Sequence, residues 1–260
     1  MRLWSLQHQR LMIKRVKPYF KGLGDHLQFT TIPEILSGMG IETHQHDYCT
    51  FSNEEVEDLV YGCNPYIKGK SAGSWDYGDG SSNWDYHHRY PSFIKNIEFA
   101  SGLEPQNDFP KIYYEPSKIG EYDGIIDLGS VTLKDGLDYE KSTGLIKNLI
   151  SSEFPGSKFL VVENKYFDSK NNIGLDTISV SSLKNYIDLI SSSGVYISYH
   201  SGGHSLASSI RHMGFNPKQY CIIPENLPGF TRGEEEGISF YDYLTTKGYW
   251  VFPEVTYLKY

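Results

Sequence analysis

The sequence has little of what would tie a fold together covalently or hold it to a polyanion. Among its 260 residues only three are cysteine: Cys49, Cys63 and Cys221. None stands at CxxC spacing, and any pairing leaves one thiol over. That excludes a disulfide framework and a cysteine zinc site, and it fits a reducing compartment. No Lys/Arg run occurs, and the formal net charge is −8. Gripping a phosphate backbone needs the opposite sign, so no stable nucleic-acid binding is expected. The basic residues near the start (Arg10, Lys14, Arg15 and Lys17) are interspersed with apolar ones, as a first strand allows. No apolar run approaches a membrane span. No continuous apolar h-region opens the chain, so a signal peptide is not expected and a cytoplasmic location is. A G-x-S-x-G nucleophile elbow and a P-loop lysine motif are also missing.

What is present is a globular composition, 39% hydrophobic and 22% charged. The length suits one large α/β domain or two small ones, with a core that needs no staples. Tyrosine is frequent, at 21 residues. Its flat apolar face and polar tip suit sugar and base contacts, and equally suit half-buried strand positions.

Leu11–Phe20 reads as a strand and Gly22-Leu23-Gly24-Asp25 as a tight turn. Ile32, Ile35, Leu36 and Met39 then recur at helical spacing, with Pro33 in an early turn. Ile41–His44 is a second strand, which completes the opening of a Rossmann-like unit. Asn53–Tyr61 reads as a short helix. Gly69–Tyr90 collapses into Gly, Ser, Asp and aromatics, with Ser74-Trp75-Asp76-Tyr77 echoed by Asn83-Trp84-Asp85-Tyr86. Long loops of this kind are often functional. Phe93–Ala100 is helical and Gly102 ends it. Glu104–Lys118, rich in Pro, Asp and Lys, reads as a linker. After it come strands at Tyr122–Leu128, Lys158–Val162, Val195–Tyr199 and Gln219–Ile223. Helices are expected at Tyr139–Ser151, Ser181–Ser192 (capped by Ser181 or Ser182) and Ser205–Met213, with a short one at Phe240–Leu244. The residues after that carry no clear pattern. Alternating strands and helices imply parallel sheets covered on both faces.

The most informative segment is the end of the strand Val195–Tyr199. His200-Ser201-Gly202-Gly203-His204-Ser205 follows it and leads into a helix. A small-residue turn between a strand's carboxyl end and a helix N-terminus is an anion site, because its N–H groups point outward and the helix dipole favours phosphate. It is also an ordinary βα turn, and the residues alone leave both readings open. His44-Gln45-His46-Asp47 invites a metal reading. Only His87-His88 pairs up elsewhere, so no metal site is expected.

The stretch from Ser182-Leu183 to Ala207 resembles the signature of the ADP-heptose:lipopolysaccharide heptosyltransferase-like family, glycosyltransferase family 9. There a helix and strand lead to an Asp-Thr/Ser-Gly-x-x-His-Leu-Ala turn. Gly22-Leu23-Gly24-Asp25 with Ile32-Pro33 is similar to the family's N-terminal Gly-x-Gly-Asp and Pro-led helix. Arg89–Leu103 with Pro110-Lys111-Ile112 resembles its segment before the linker, and Tyr122–Ser130 the opening of its second domain. The pieces span nearly the whole chain in the family's order. Three departures stand out. His200 replaces the family's Asp. His204 falls one position before the family's histidine, where Ser205 stands. The chain is also shorter than typical members.

The resemblance implies a GT-B architecture of two Rossmann-like α/β domains with parallel sheets facing a central cleft. Residues 1–117 would form the acceptor side and residues 118–260 the nucleotide-sugar side. It implies transfer of a sugar from a nucleotide-sugar donor to a carbohydrate or other hydroxyl acceptor, with no metal and no cofactor. Asp25 matches the family's proposed general base, which takes the acceptor proton. Asp25 also reads as a helix N-cap. His26 is a spare base in the same loop. Ser130, Thr132 and Lys134 match a loop holding the donor diphosphate, where a lysine neutralises the departing charge; a solvated lysine is the plainer reading. Glu163 matches the acid that accepts from the ribose. His200, Ser201, Gly202, Gly203, His204 and Ser205 complete the nucleotide-sugar side. Trp75, Trp84, Tyr86 and His88 would contact the acceptor, or else belong to a lid or oligomer contact. Two alternatives remain: a non-catalytic nucleotide-sugar or glycan-binding protein of the same fold, and a metal-dependent hydrolase built on His44 and His46.

Overall fold

A computed structural model describes residues 12–18, 20–78, 89–130, 137–164, 173–228, 230, 237–248 and 251–260. The first half runs β1 (Ile13–Val16), α1 (Leu23–Leu27), α2 (Ile32–Gly38), β2 (Glu42–His46), α3 (Glu54–Glu57), β3 (Ile67–Ser71) and α4 (Phe93–Ala100). A π-helical turn, Asp58–Gly62, prolongs α3. The second half runs β4 (Tyr122–Asp127), α5 (Tyr139–Glu153), β5 (Phe159–Asn164), β6 (Thr177–Val180), α6 (Leu183–Ser191), β7 (Ser193–Tyr199), α7 (Gly202–Ser209), β8 (Lys218–Ile223), α8 (Phe240–Lys247) and β9 (Val255–Lys259). No described helix is long and apolar enough to cross a membrane.

Local chemistry accounts for most of these boundaries. Ser182 caps α6 by accepting the Asn185 N–H at 3.0 Å. The apolar stripe of α6 (Leu183, Tyr186, Ile187, Ile190) is buried. Gly102, at φ +72°, takes the left-handed conformation just past α4. The expected tight turn at Gly22–Asp25 is instead the start of α1. Asp25 lies in its first turn and accepts the Gly22 N–H at 3.1 Å. A five-residue helix opening with Leu-Gly has no room for a periodic signal, and this backbone bond is what starts it. The loop expected from Gly69 begins as strand, because residues 67–71 pair with β2. β6 and β9 had no expectation.

Both sheets are wholly parallel. The first has order β1-β2-β3 and the second β6-β5-β4-β7-β8-β9. The second order is the doubly wound arrangement: the chain builds outward from β4 on one side, then returns to β4's other flank with β7. The winding reverses between β4 and β7, and in such sheets ligands bind outside the carboxyl ends of the strands at that reversal.

The halves meet by direct packing. One buried apolar cluster joins Phe29, Ile32 and Phe93 to Ile126, Val195 and Phe252. A second joins Leu27 and Leu59 to Ile125, Ile187 and Leu206. Glu55 accepts the Leu183 N–H at 2.6 Å, and Lys184 pairs with Asp58 at 2.7 Å. The segment between α4 and β4 has no regular structure yet is anchored, with the Lys111 N–H donating to the Thr30 hydroxyl at 2.9 Å.

Gly124 on β4 faces the buried Phe159 ring, whose nearest atom stands 2.2 Å from where a Cβ would be. Gly124→Ala is expected to cost about 1–3 kcal/mol through overpacking. Gly144→Ala, on the exposed side of α5 with nothing within 4 Å of the new methyl, is expected to gain about 0.5–1 kcal/mol. Urea unfolding of the two variants checks the opposite signs.

Candidate active site

At the β4/β7 reversal the carboxyl ends of two strands bring together residues that are far apart in sequence. β4 ends at Asp127 and runs into Leu128, Gly129 and buried Ser130. Thr132 and Lys134 of the same loop lie outside the described residues. β7 ends at Tyr199, followed by His200, then Ser201 at the N-cap of α7. The Ser201 side chain makes no cap bond. First-turn N–H groups of a helix have no partners within the helix. The Ser201 and Ser205 hydroxyls are buried with no hydrogen-bond partner among the described residues. Glu163, on β5 beside β4, is exposed and accepts from the Ser179 hydroxyl at 3.4 Å.

Two glycines let the first turn of α7 sit where it does. A Cβ on Gly202 would stand 3.3 Å from the Gly24 nitrogen and from the Leu23 Cβ of α1. A Cβ on Gly203 would stand 2.7 Å from Asp127 Oδ2, 2.8 Å from the Tyr196 hydroxyl and 2.9 Å from that of Tyr186. That second wall is a buried cluster that reading the sequence missed. Asp127 accepts the Gly129 N–H at 2.8 Å and the Tyr186 O–H, and the two tyrosine oxygens stand 2.6 Å apart. No cation faces the carboxylate among these contacts, and burial pushes the Asp127 carboxyl up. The one available signal was an acid ending the apolar pair Ile125-Ile126.

The histidines expected near the ligand differ in placement. His200 borders the turn half-buried, its ring 5.5 Å from that of His204. His204 faces the interior. Its Nδ1 accepts from the Gln219 amide at 2.8 Å, which leaves Nε2–H for the Tyr257 oxygen at 3.3 Å. His26, offered as a spare base, is fully buried. Its Nδ1 accepts from the Tyr61 hydroxyl at 2.9 Å, and its Nε2–H donates to the Thr50 carbonyl at 3.0 Å. Both positions are filled by the neutral ring, and burial pushes the pKa down to about 4. A base must reach its substrate, so His26 is a packing group that ties α1 to the 50–61 segment.

On the first sheet, Trp75 is 51% exposed, with the Lys17 ammonium 4.3 Å from its ring centroid. Trp84, Tyr86 and His88 lie outside the described residues. His46 donates to the Gly73 carbonyl at 2.7 Å through Nε2 and accepts the Tyr48 N–H at 3.0 Å through Nδ1. Neither nitrogen is open to a metal. His44 Nε2 meets Glu42 at 2.5 Å. His44 Nδ1 is buried with no partner among the described residues, so the hydrolase reading based on this pair loses His46 as a ligand. Among the described residues no group of three or more His, Cys, Asp or Glu is placed to hold a metal ion. A groove of about 510 Å³ lies elsewhere, between α2 and the segment after α4, lined by Glu34, Ile35, Met39, Leu103 and Lys111 among others; it contains none of the expected site residues.

No protein-family model matches the chain, and no curated protein matches it by sequence. Solved structures do. The glycosyltransferase family 9 protein of Veillonella parvula superposes with a TM-score of 0.56 at 11% identity, over 96% of this chain and 87% of that one. TibC of enterotoxigenic E. coli, described as an iron-containing dodecameric glycosyltransferase, superposes at 0.54 with 14% identity, over 84% of this chain and 59% of that one. TibC described as a heptosyltransferase in complex with ADP-D-beta-D-heptose gives 0.50 and 16%, over 77% and 56%. The chain thus spans less than two thirds of TibC. At these identities the likeness shows the fold alone: an α/β architecture with parallel sheets.

The His26 shift has a definite sign. Unfolded, the imidazole takes up a proton near pH 6.5, about its unperturbed value. Folded, it does so only near 4. Its contribution is therefore complete above pH 6.5 and is lost as pH falls from 6.5 to 4. The loss is on the order of 3 kcal/mol. Chemical unfolding at pH 7.5, 6 and 5 is expected to show a stability decline in the native protein that is much smaller in His26→Gln, where His212, also lowered by burial, still contributes.

Proposed function

We propose that the chain is a GT-B-type glycosyltransferase that moves a sugar from a nucleotide-sugar donor to an acceptor hydroxyl. The carrying observation is the β4/β7 reversal, which sets the first turn of α7 beside the loop after β4 and leaves two serine hydroxyls there buried without partners among the described residues. Anions favour such helix starts. In this reading the donor diphosphate lies against residues 200–205, with Ser130, Thr132 and Lys134 on its other side and Glu163 accepting from the ribose. His204 contributes from behind, by fixing the turn against Gln219 and Tyr257.

Asp25 is the proposed general base. It stands in α1, whose Leu23 and Gly24 touch Gly202, so the base and the donor turn belong to adjoining helices. As the bond from the anomeric carbon to the acceptor oxygen forms, the acceptor O–H proton passes to the Asp25 carboxylate. The anomeric C–O bond breaks, and its electron pair leaves with the nucleoside diphosphate. First-turn N–H groups and Lys134 would meet that charge, so the reaction is proposed to need no metal ion. Trp75, with Trp84, Tyr86 and His88, would face the acceptor. A non-catalytic nucleotide-sugar-binding protein is the second reading, favoured by His200 standing where the family has Asp.

Thermal denaturation with ADP, GDP and UDP and their sugar conjugates tests the reading. At least one is expected to raise the melting temperature, and no shift with any would overturn both readings. With the donor so found, Asp25→Ala is expected to abolish turnover and keep binding, and turnover is expected to persist in EDTA. Full turnover in Asp25→Ala would remove Asp25 as the base, and binding with no turnover in the native protein would favour the second reading.

A further inference from the structure

Asp127, Tyr186 and Tyr196 form a chain of polar groups that touches both loops of the reversal from below. Tyr196 belongs to β7, Tyr186 to α6 and Asp127 to the end of β4, and all three are buried. The tyrosine oxygens are 2.6 Å apart, Tyr186 donates to Asp127 Oδ2, and Asp127 Oδ1 accepts the Gly129 N–H at 2.8 Å. With Tyr186 donating to the carboxylate, Tyr196 donates to Tyr186. The order of donation is then Tyr196, Tyr186, Asp127, and such chains strengthen one another in a low-dielectric interior. The far side of the same oxygens is the floor under Gly203, where a Cβ would meet all three within 3 Å.

A cluster that only stabilised the core had a less costly form. An unpaired carboxylate buried among neutral donors is expensive, and apolar side chains of similar shape fill such space at no such penalty. The polar form instead fixes two backbone positions at once: Gly129 by a hydrogen bond and Gly203 by contact. Gly129 lies in the loop after β4 and Gly203 in the first turn of α7, the two segments that flank the reversal.

We propose that Asp127, with Tyr186 and Tyr196, is a positioning group that sets the spacing between the loop after β4 and the first turn of α7, and through it the affinity for a diphosphate. The diphosphate part rests on the functional reading above; the coupling of the two loops does not.

Amide hydrogen exchange of the ligand-free protein tests the coupling. In Tyr186→Phe, exchange is expected to quicken at least tenfold at Gly129 and together with it at residues 205–207, whose N–H groups bond back to the start of α7, while β8 and α5 keep their protection. Asp127→Asn is the conservative rescue. Its carbonyl oxygen still accepts the Gly129 N–H and its amide donates to the Tyr186 oxygen, so native exchange is expected at both loops. Should Tyr186→Phe fail to fold, Gly203→Ala is the second variant, pressing on the same oxygens from above; quickened exchange at Gly129, across the cluster, is the expected result. Quickening confined to one loop, or spread evenly over the sheet, would overturn the coupling. The ligand arm uses the nucleoside diphosphate that stabilises the native protein, against its monophosphate. In Tyr186→Phe the diphosphate is expected to weaken about tenfold and the monophosphate less than twofold. Equal weakening, or none, would overturn the link to the diphosphate. If no nucleotide binds the native protein, the functional reading fails and takes the ligand arm with it, while the exchange arm still decides the coupling.

Discussion

The first turn of α7 is confined on two sides, and most of the site's geometry follows from that confinement. Gly202 abuts the backbone of α1, and Gly203 abuts three buried oxygens. A side chain at Gly203 would have to displace oxygens that are hydrogen-bonded to one another, which is harder than moving the tip of a flexible chain. The close approach holds three things in register: α1 and its Asp25, the start of α7, and the loop after β4. Parallel strands make the register possible, because they deliver their carboxyl ends to one edge of the sheet. The reversal between β4 and β7 makes it useful, because neighbouring helices leave the sheet in opposite directions there and open a space between their starts.

The join between the halves is substantial. Buried apolar clusters carry residues of both sheets, and backbone-to-side-chain bonds such as Leu183 to Glu55 cross it. Two small sheets with an open gap would each bury limited apolar surface, and stability scales with what is buried. The first sheet has three strands and gains from leaning on the second. That packing brings α1 against α7.

The sequence made legible what is periodic and local. α6 and β7 carry their own signals: an apolar stripe behind a serine cap, and a run of β-branched and aromatic residues that is buried from Val195 to Tyr199. Their junction marked the candidate turn. β6 escaped notice because a four-residue, half-exposed edge strand has no apolar run to announce it. α1 looked like a turn because its start depends on one carboxylate-to-backbone bond. The Asp127 cluster had no local signature at all. Its partners lie 59 and 69 positions along the chain, and only the sheet order brings them together.

The displaced histidine follows from the same geometry. On a helix, one position is a rotation of about 100°, so His204 and Ser205 cannot serve the same direction. His204 faces inward, where Gln219 and Tyr257 fill both ring nitrogens and the Phe252 ring lies 5.2 Å away. An imidazole so held faces away from the crevice and shapes the turn from behind. Ser205, in the family's histidine position, offers a smaller group whose hydroxyl is buried with no partner among the described residues. A serine there can donate to an anion but cannot carry positive charge. In the proposed reaction, compensation for charge on a leaving diphosphate would come from the backbone N–H groups of α7, from His200 at the turn and from the loop after β4. This places the electrostatic burden of the proposed reaction on the two segments that Asp127 adjoins.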